Sequence, residues 1–214
     1  MKHIIDISTW ERRQNYEFFQ GFLSSWMCIT TEVDCTSAFA EAKQNHTSFF
    51  IRYLWAILRA SNEVKEMRFR KDKDGRVCMY DTIDVITPIN VPGRTFYTVR
   101  VPYVADYQAF YRQTSEIISN IPADGDPYGT DKSVFEQGDH DVITVSAVPD
   151  LFFTSIVPTL QKPGLPQCWP LLNIGKAVVR GDRRVMPIFI TVSHEFVDGE
   201  HLAQFFNKIE EVLK

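Results

Sequence analysis

Residues 186–213, MPIFITVSHEFVDGEHLAQFFNKIEEVL, change hydrophobic period once, and that change restricts the fold more than any other stretch of the chain. The first part is an apolar run with Ile188, Ile190, Val192 and His194 on one parity, the pattern of a strand with a buried face. The second part places Leu202, Phe205, Phe206, Ile209, Val212 and Leu213 at helical spacing. Between them lies SHEFVDG, with Asp198 as N-cap and Gly199 after it. A strand feeding directly into an amphipathic helix needs a helix layer over a sheet, and His194 then emerges where the buried face of the strand ends.

The rest of the chain supplies both layers. WERRQNYEFFQGFL reads as a short helix followed by an extended segment. Two helices are predicted between Thr36 and Glu63, one capped by Thr36 or Ser37. The other starts near Ser48, with Phe50, Tyr53, Leu54, Ile57 and Leu58 on its core face. RFR, KDKDG and RVCMYDTID form two β-like arms around Asp74-Gly75. Further β-like runs fall at 86–89 and 95–101, then a helix with Tyr107, Phe110, Tyr111 and Ile117 inside, and then a loop rich in Pro, Gly and Asp. DVITVSAVPD is a strand, and two more flank Gly181-Asp182. Hairpin-linked strands interspersed with helices predict an α/β (α+β) two-layer sandwich, a mixed sheet with helices packed on one face, as a single domain over residues 1–214.

Composition narrows the function classes. A chain of 214 residues with 44% hydrophobic content can bury a substantial core. Its 23 basic and 27 acidic residues give a net charge of -4 without a long run of either sign, which argues against a nucleic-acid footprint or a polybasic membrane patch. No segment approaches the roughly 20 apolar residues of a membrane span. The opening MKHIIDISTW has charges where a secretory signal needs its apolar segment, so the expected compartment is the cytoplasm. Cys28, Cys35, Cys78 and Cys168 show no CxxC spacing and are expected as free thiols.

Four chemical readings fail. HEFVD lacks the second histidine of HExxH and starts at a strand end. DKDG would put Arg70 at the first ligand position of a calcium loop. GDHD at 138–141 reads as a solvated loop, so no metal is expected. Ser146, in TVSAV, lacks the glycines of a nucleophile elbow and is better read as a hydroxyl donor. His194 remains as a direct general base on a substrate hydroxyl, with Asp198 and Gly199 as support. A lone histidine at a strand end is more often a satisfied core or loop residue, so the rest of the chain has to decide.

WERRQNYEFF, TVSAVPD, PLLNIGK and SHEFVDG occur in an order and spacing that resemble the chloramphenicol acetyltransferase family over nearly the whole chain. HxxxDG also marks the catalytic domains of the acyltransferases of 2-oxo acid dehydrogenase complexes, which share that fold. The N-terminal tryptophan-arginine segment and the lack of a lipoyl domain or linker favour the standalone antibiotic-modifying branch. The resemblance implies a homotrimer with active sites at subunit interfaces, where acetyl-CoA and the acceptor enter from opposite sides. It makes His194 the general base, and Asp198 the anchor of the catalytic loop through a salt bridge to Arg12. Ser146 is then the hydroxyl that stabilises the tetrahedral oxyanion, and Asn173 stands where the family commonly has a water-holding threonine. Phe18, Phe19, Leu23 and Phe96 fall at acceptor contacts, and Thr144 and Thr191 stand where amides are expected near the acceptor. Lys176, Arg180, Arg183 and Arg184 are the candidate cations for the phosphates of CoA.

The departures concentrate around the acceptor. Ser193 replaces a second histidine before the base, Glu195 replaces a small or apolar residue after it, Asp150 replaces a tryptophan, and Trp26 replaces a small residue. The resemblance therefore implies acetyl transfer to chloramphenicol. It leaves open the same transfer to another hydroxylated small molecule, and a non-catalytic trimer that only binds its ligand.

Overall fold

The computed structural model describes residues 1–93, 95–138, 140–157, 159 and 169–214, with backbone alone at 135 and 137. In chain order it forms β1 (Lys2–Ile4), α1 (Arg13–Phe19), β2 (Trp26–Asp34), α2 (Thr36–Gln44), α3 (Phe49–Glu63), β3 (Phe69–Lys71), β4 (Val77–Tyr80) and β5 (Asp84–Ile89). There follow β6 (Tyr97–Val101), α4 (Tyr107–Ser119), α5 (Gly129–Gln137), β7 (Val142–Val148), β8 (Leu171–Gly175), β9 (Val178–Arg180), β10 (Arg183–Ser193) and α6 (Gly199–Leu213). The large sheet runs β2-β10-β8-β7-β5-β6, with β9 paired to β10. Its β5–β7 and β7–β8 pairs are parallel and the others antiparallel, so the sheet is mixed.

The long apolar run becomes β10 because both of its faces are covered. On one side Ile188, Ile190 and Val192 join Leu172, Ile174 and Val145 of the neighbouring strands in a core with Leu54, Ile57 and Leu58 of α3 and Phe205 and Ile209 of α6. Each of these side chains contributes about 1.5–3 kcal/mol by leaving water. The helix spacing read in α6 is borne out, with Leu202, Phe205, Ile209 and Leu213 buried. On the other side Phe189 and Thr191 are each only 2% exposed. Here the segment after β7 crosses the sheet so closely that a Cβ on Gly175 would lie 2.5 Å from Pro187 Cγ and 2.9 Å from the Leu151 carbonyl oxygen.

Several local expectations change. Cys35, not Thr36 or Ser37, occupies the cap position of α2, and the Asp34 carboxylate accepts from both the Thr36 N–H and hydroxyl. Ser48 caps α3 as expected, accepting from the Ile51 N–H. The Asp74-Gly75 turn forms, with Gly75 at φ 75° and the buried Asp72 carboxylate accepting the N–H groups of Asp74 and Arg76. Its arms do not stand alone: β3 and β4 join β1 in a separate sheet ordered β1-β4-β3. Within the stretch read as a loop, residues 129–137 are helical. This α5 packs Val134 against Ile86 and Val142, on the sheet face opposite α3 and α6. His140 is 2% exposed and stacks near Trp169, so the expected solvated loop is a buried corner there. Cys28, Cys35 and Cys78 are unbridged, and Cys168 lies outside the described residues.

Candidate active site

β10 ends at Ser193, and five residues carry the chain into α6. The end is pinned to the start of β2: the His194 N–H donates to the Ser25 carbonyl at 2.7 Å, and the Ser193 and Ser25 hydroxyls lie 3.2 Å apart. Arg12, just before α1, donates through Nη1 to Asp198 Oδ2 at 2.7 Å and through Nη2 to Oδ1 at 3.0 Å. This two-pronged pair fixes the carboxylate plane as well as its position. Arg12 donating to it holds the Asp198 carboxyl below the usual carboxylate range, against the opposing effect of burial. His194 Nδ1 is buried and sits 3.2 Å from Asp198 Oδ1, close but not aligned as a hydrogen bond. Phe19 stacks on the imidazole, 4.0 Å between centroids and 17° between planes. The ring is thus covered on one face by Phe19, with Nδ1 turned to the Asp198 carboxylate.

Three more side chains support this turn. Glu195, the acidic neighbour of the histidine, points inward and is buried. Lys71 of β3 reaches it at 2.6 Å, so the small sheet is tied to the turn. Phe196 stacks on Tyr16 of α1, with Trp10 and Phe69 around them. His201, three residues into α6, accepts the Asp198 N–H on Nδ1 at 2.9 Å, and this orders the backbone beneath the carboxylate. An N-cap aspartate with a polar residue three positions on was the one clue available for His201.

Ser146 and Asn173 lie elsewhere on the sheet, as direct partners across the parallel β7–β8 pair. With Thr144, Phe96, Tyr128 and Asp131 they line a cavity of about 300 Å³, on the face that carries α5. Phe96 and Tyr128 make its aromatic rim, 5.5 Å apart and edge to face. Thr144 also receives the Trp169 indole N–H at 3.3 Å. Thr191 does not line this cavity: it is buried one strand over, where Cys28 Sγ donates to its hydroxyl at 3.3 Å. Phe18 and Leu23 are also absent from it. They stand exposed with Phe22, although Phe18 and Phe22 pack on each other and on Phe19, the residue that stacks on the histidine. The histidine cluster and the Ser146 cavity share no lining residue.

The four cations also separate. Lys176 and Arg184 line a second cavity of about 360 Å³ with Phe39, Tyr53, Ile174 and Met186, and the Arg184 guanidinium stands 4.0 Å over the Phe39 ring. Arg183 is exposed at the start of β10, whereas Arg180 is already engaged by Glu32 at 2.8 Å and by the Phe152 ring. Among the described residues no group of three His, Cys, Asp or Glu side chains is placed to hold a metal ion. No described helix is long and apolar enough to cross a membrane.

The family model described as chloramphenicol acetyltransferase matches residues 2–210. The chain belongs to that family. A chloramphenicol acetyltransferase of Proteus mirabilis is 29% identical over 97% of this chain and 93% of its own length, and chloramphenicol acetyltransferase 3 of Escherichia coli is 25% identical over 97% and 94%. A solved chloramphenicol acetyltransferase superposes with a TM-score of 0.95 at 48% identity, covering all of both chains. The cubic core of the pyruvate dehydrogenase multienzyme complex, at a TM-score of 0.61 and 14% identity, shares the fold. Membership of the chloramphenicol acetyltransferase family places the chain among enzymes, and its mixed sheet under a helix layer is that family's architecture.

Proposed function

We propose that this protein is a single-domain, cytoplasmic homotrimer that transfers the acetyl group of acetyl-CoA to a hydroxyl of chloramphenicol within a ternary complex. The observation that carries the reading is the Arg12–Asp198 pair set against His194 at the strand-to-helix turn. With Nδ1 buried beside Asp198, His194 Nε2 takes the proton of the acceptor hydroxyl as its oxygen attacks the acetyl carbonyl. The tetrahedral oxyanion is held by the Ser146 hydroxyl, with Asn173 beside it holding a water. Collapse breaks the carbon–sulfur bond, the ester leaves, and the proton on His194 passes to the CoA thiolate. Lys176 and Arg184 hold the phosphates of CoA.

Subunit interfaces complete the site in this reading. Two features support it: the histidine cluster and the Ser146 cavity are distinct in one chain, and each has exposed aromatic side chains at its edge, Phe18 and Phe22 at the first and Phe96 and Tyr128 at the second. The test is thiol release from acetyl-CoA with chloramphenicol as acceptor. Saturable turnover is expected, falling by about 10²- to 10⁴-fold in His194→Ala, the scale of a lost general base. Turnover unchanged in that variant removes the catalytic assignment, and turnover with other hydroxylated acceptors but none with chloramphenicol removes the acceptor.

A further inference from the structure

Glu195 is a carboxylate one residue from the proposed base, and the acetyl-transfer steps give it no part to play. Its side chain is 8% exposed and meets Lys71 Nζ at 2.6 Å, whereas the Lys71 side chain is 25% exposed. The turn that carries Glu195 is tight. The N–H groups of Phe196 and Val197 both donate to the Ser193 carbonyl at 3.0 Å, and the His194 N–H is held by Ser25. A shift of Glu195 therefore moves the backbone that aims the imidazole.

Lys71 also faces the other half of the cluster. Its ammonium stands 5.3 Å from the centre of the Tyr16 ring, midway along α1, and Tyr16 stacks on Phe196 of the turn. α1 begins directly after Arg12, the partner of Asp198, and ends with Phe19, the ring that covers His194. β3 sets the place of this ammonium, with Lys71 paired to Val77 across the small sheet. One side chain thus meets both the turn that carries His194 and Asp198 and the helix whose ends supply their partners.

We infer that Lys71 and Glu195 are positioning residues for the base, which set the turn against α1. The inference rests on the acetyl-transfer reading above. The two charges are not equivalent. Glu195 without Lys71 is a buried carboxylate that has lost a counter-charge, and it regains hydration by drawing the turn outward. Lys71 without Glu195 can swing its ammonium to water while its stem stays in place. Loss of the lysine alone then does more harm than loss of both charges.

The experiment compares thiol release from acetyl-CoA, with chloramphenicol as acceptor, in the wild type, in Lys71→Met and in Lys71→Met combined with Glu195→Gln. Lys71→Met is expected to lower kcat about 10- to 100-fold with KM for both substrates little changed, the scale on which small misplacements of catalytic groups act. Adding Glu195→Gln is expected to recover kcat several-fold. A pair that only stabilised the fold would lower the midpoint of thermal unfolding and leave kcat of the folded enzyme in place, so wild-type kcat in Lys71→Met overturns the inference. A loss confined to KM overturns it too, as does a loss of kcat that Glu195→Gln does not relieve. Should either variant show no cooperative thermal transition, Lys71→Gln takes the place of Lys71→Met in both. If the wild type turns over no acceptor, the acetyl-transfer reading fails, and NMR of isotope-labelled histidine decides the positioning, with His194→Gln identifying the resonance. A His194 signal displaced in Lys71→Met and restored in the double variant retains the inference, and any other pattern overturns it.

Discussion

Arg12 meets Asp198 with both terminal nitrogens, and only a planar guanidinium can do so. A lysine there keeps the charge but holds one oxygen at a time, so the carboxylate beside His194 is free to swing. Arg12→Lys is therefore expected to lower kcat/KM for acetyl transfer by roughly 10- to 100-fold, the scale on which small misplacements of catalytic groups act. Steady-state kinetics with acetyl-CoA check this, and wild-type values in the variant would remove Arg12 from the machinery. A contact of Arg12 with Asp198 beside His194 was expected from the family resemblance carried by WERRQNYEFF and SHEFVDG, not from local spacing. Lys71 was not, since its pairing with the buried Glu195 depends on where a separate three-stranded sheet docks, and no local pattern encodes that. Thr191 is another position that no local pattern places. Residues on the cavity face of β7 and β8 open onto space, while the same face of β10 is roofed, and parity alone does not reveal the roof.

Among the elements, those with a strong period were legible and those held by tertiary contacts were not. α3 and α6 each show an apolar stripe over 15 residues, whereas among the described side chains of α5 Val134 alone is buried. β1 is three exposed residues whose only reason to be extended is the partner strand β4. The crossing of the post-β7 segment over β8 and β10 is likewise invisible in sequence, although Gly175 marks it. A methyl group there meets Pro187, the Leu151 carbonyl and Phe153, of which two are held by backbone. Gly175→Ala is expected to destabilise the protein by about 1–3 kcal/mol, as overpacking does. Urea unfolding reads this as a lower midpoint at unchanged slope. A variant as stable as the parent would mean that the segment shifts without cost and that the close approach is not a constraint.

At the scale of the whole molecule, one chain holds the histidine cluster and the Ser146 cavity as separate places, with four large apolar side chains, Phe18, Phe22, Phe96 and Tyr128, left exposed at their edges. In a closed ring each interface joins the histidine side of one subunit to the serine side of the next. A subunit with a damaged histidine and a subunit with a damaged serine then form, in one of their two orders, an interface where both groups are intact. Ser146→Ala alone is expected to lose on the order of 100- to 1,000-fold in kcat, and His194→Ala more. Co-refolded in equal amounts, the two inactive variants are expected to recover about a quarter of wild-type turnover, because each interface draws its two subunits independently. The recovery is read as thiol release from acetyl-CoA, with size-exclusion chromatography showing a trimer. Mixtures no more active than the separate variants would place His194 and Ser146 of each working site in the same subunit, and the shared-interface arrangement would fall with that result.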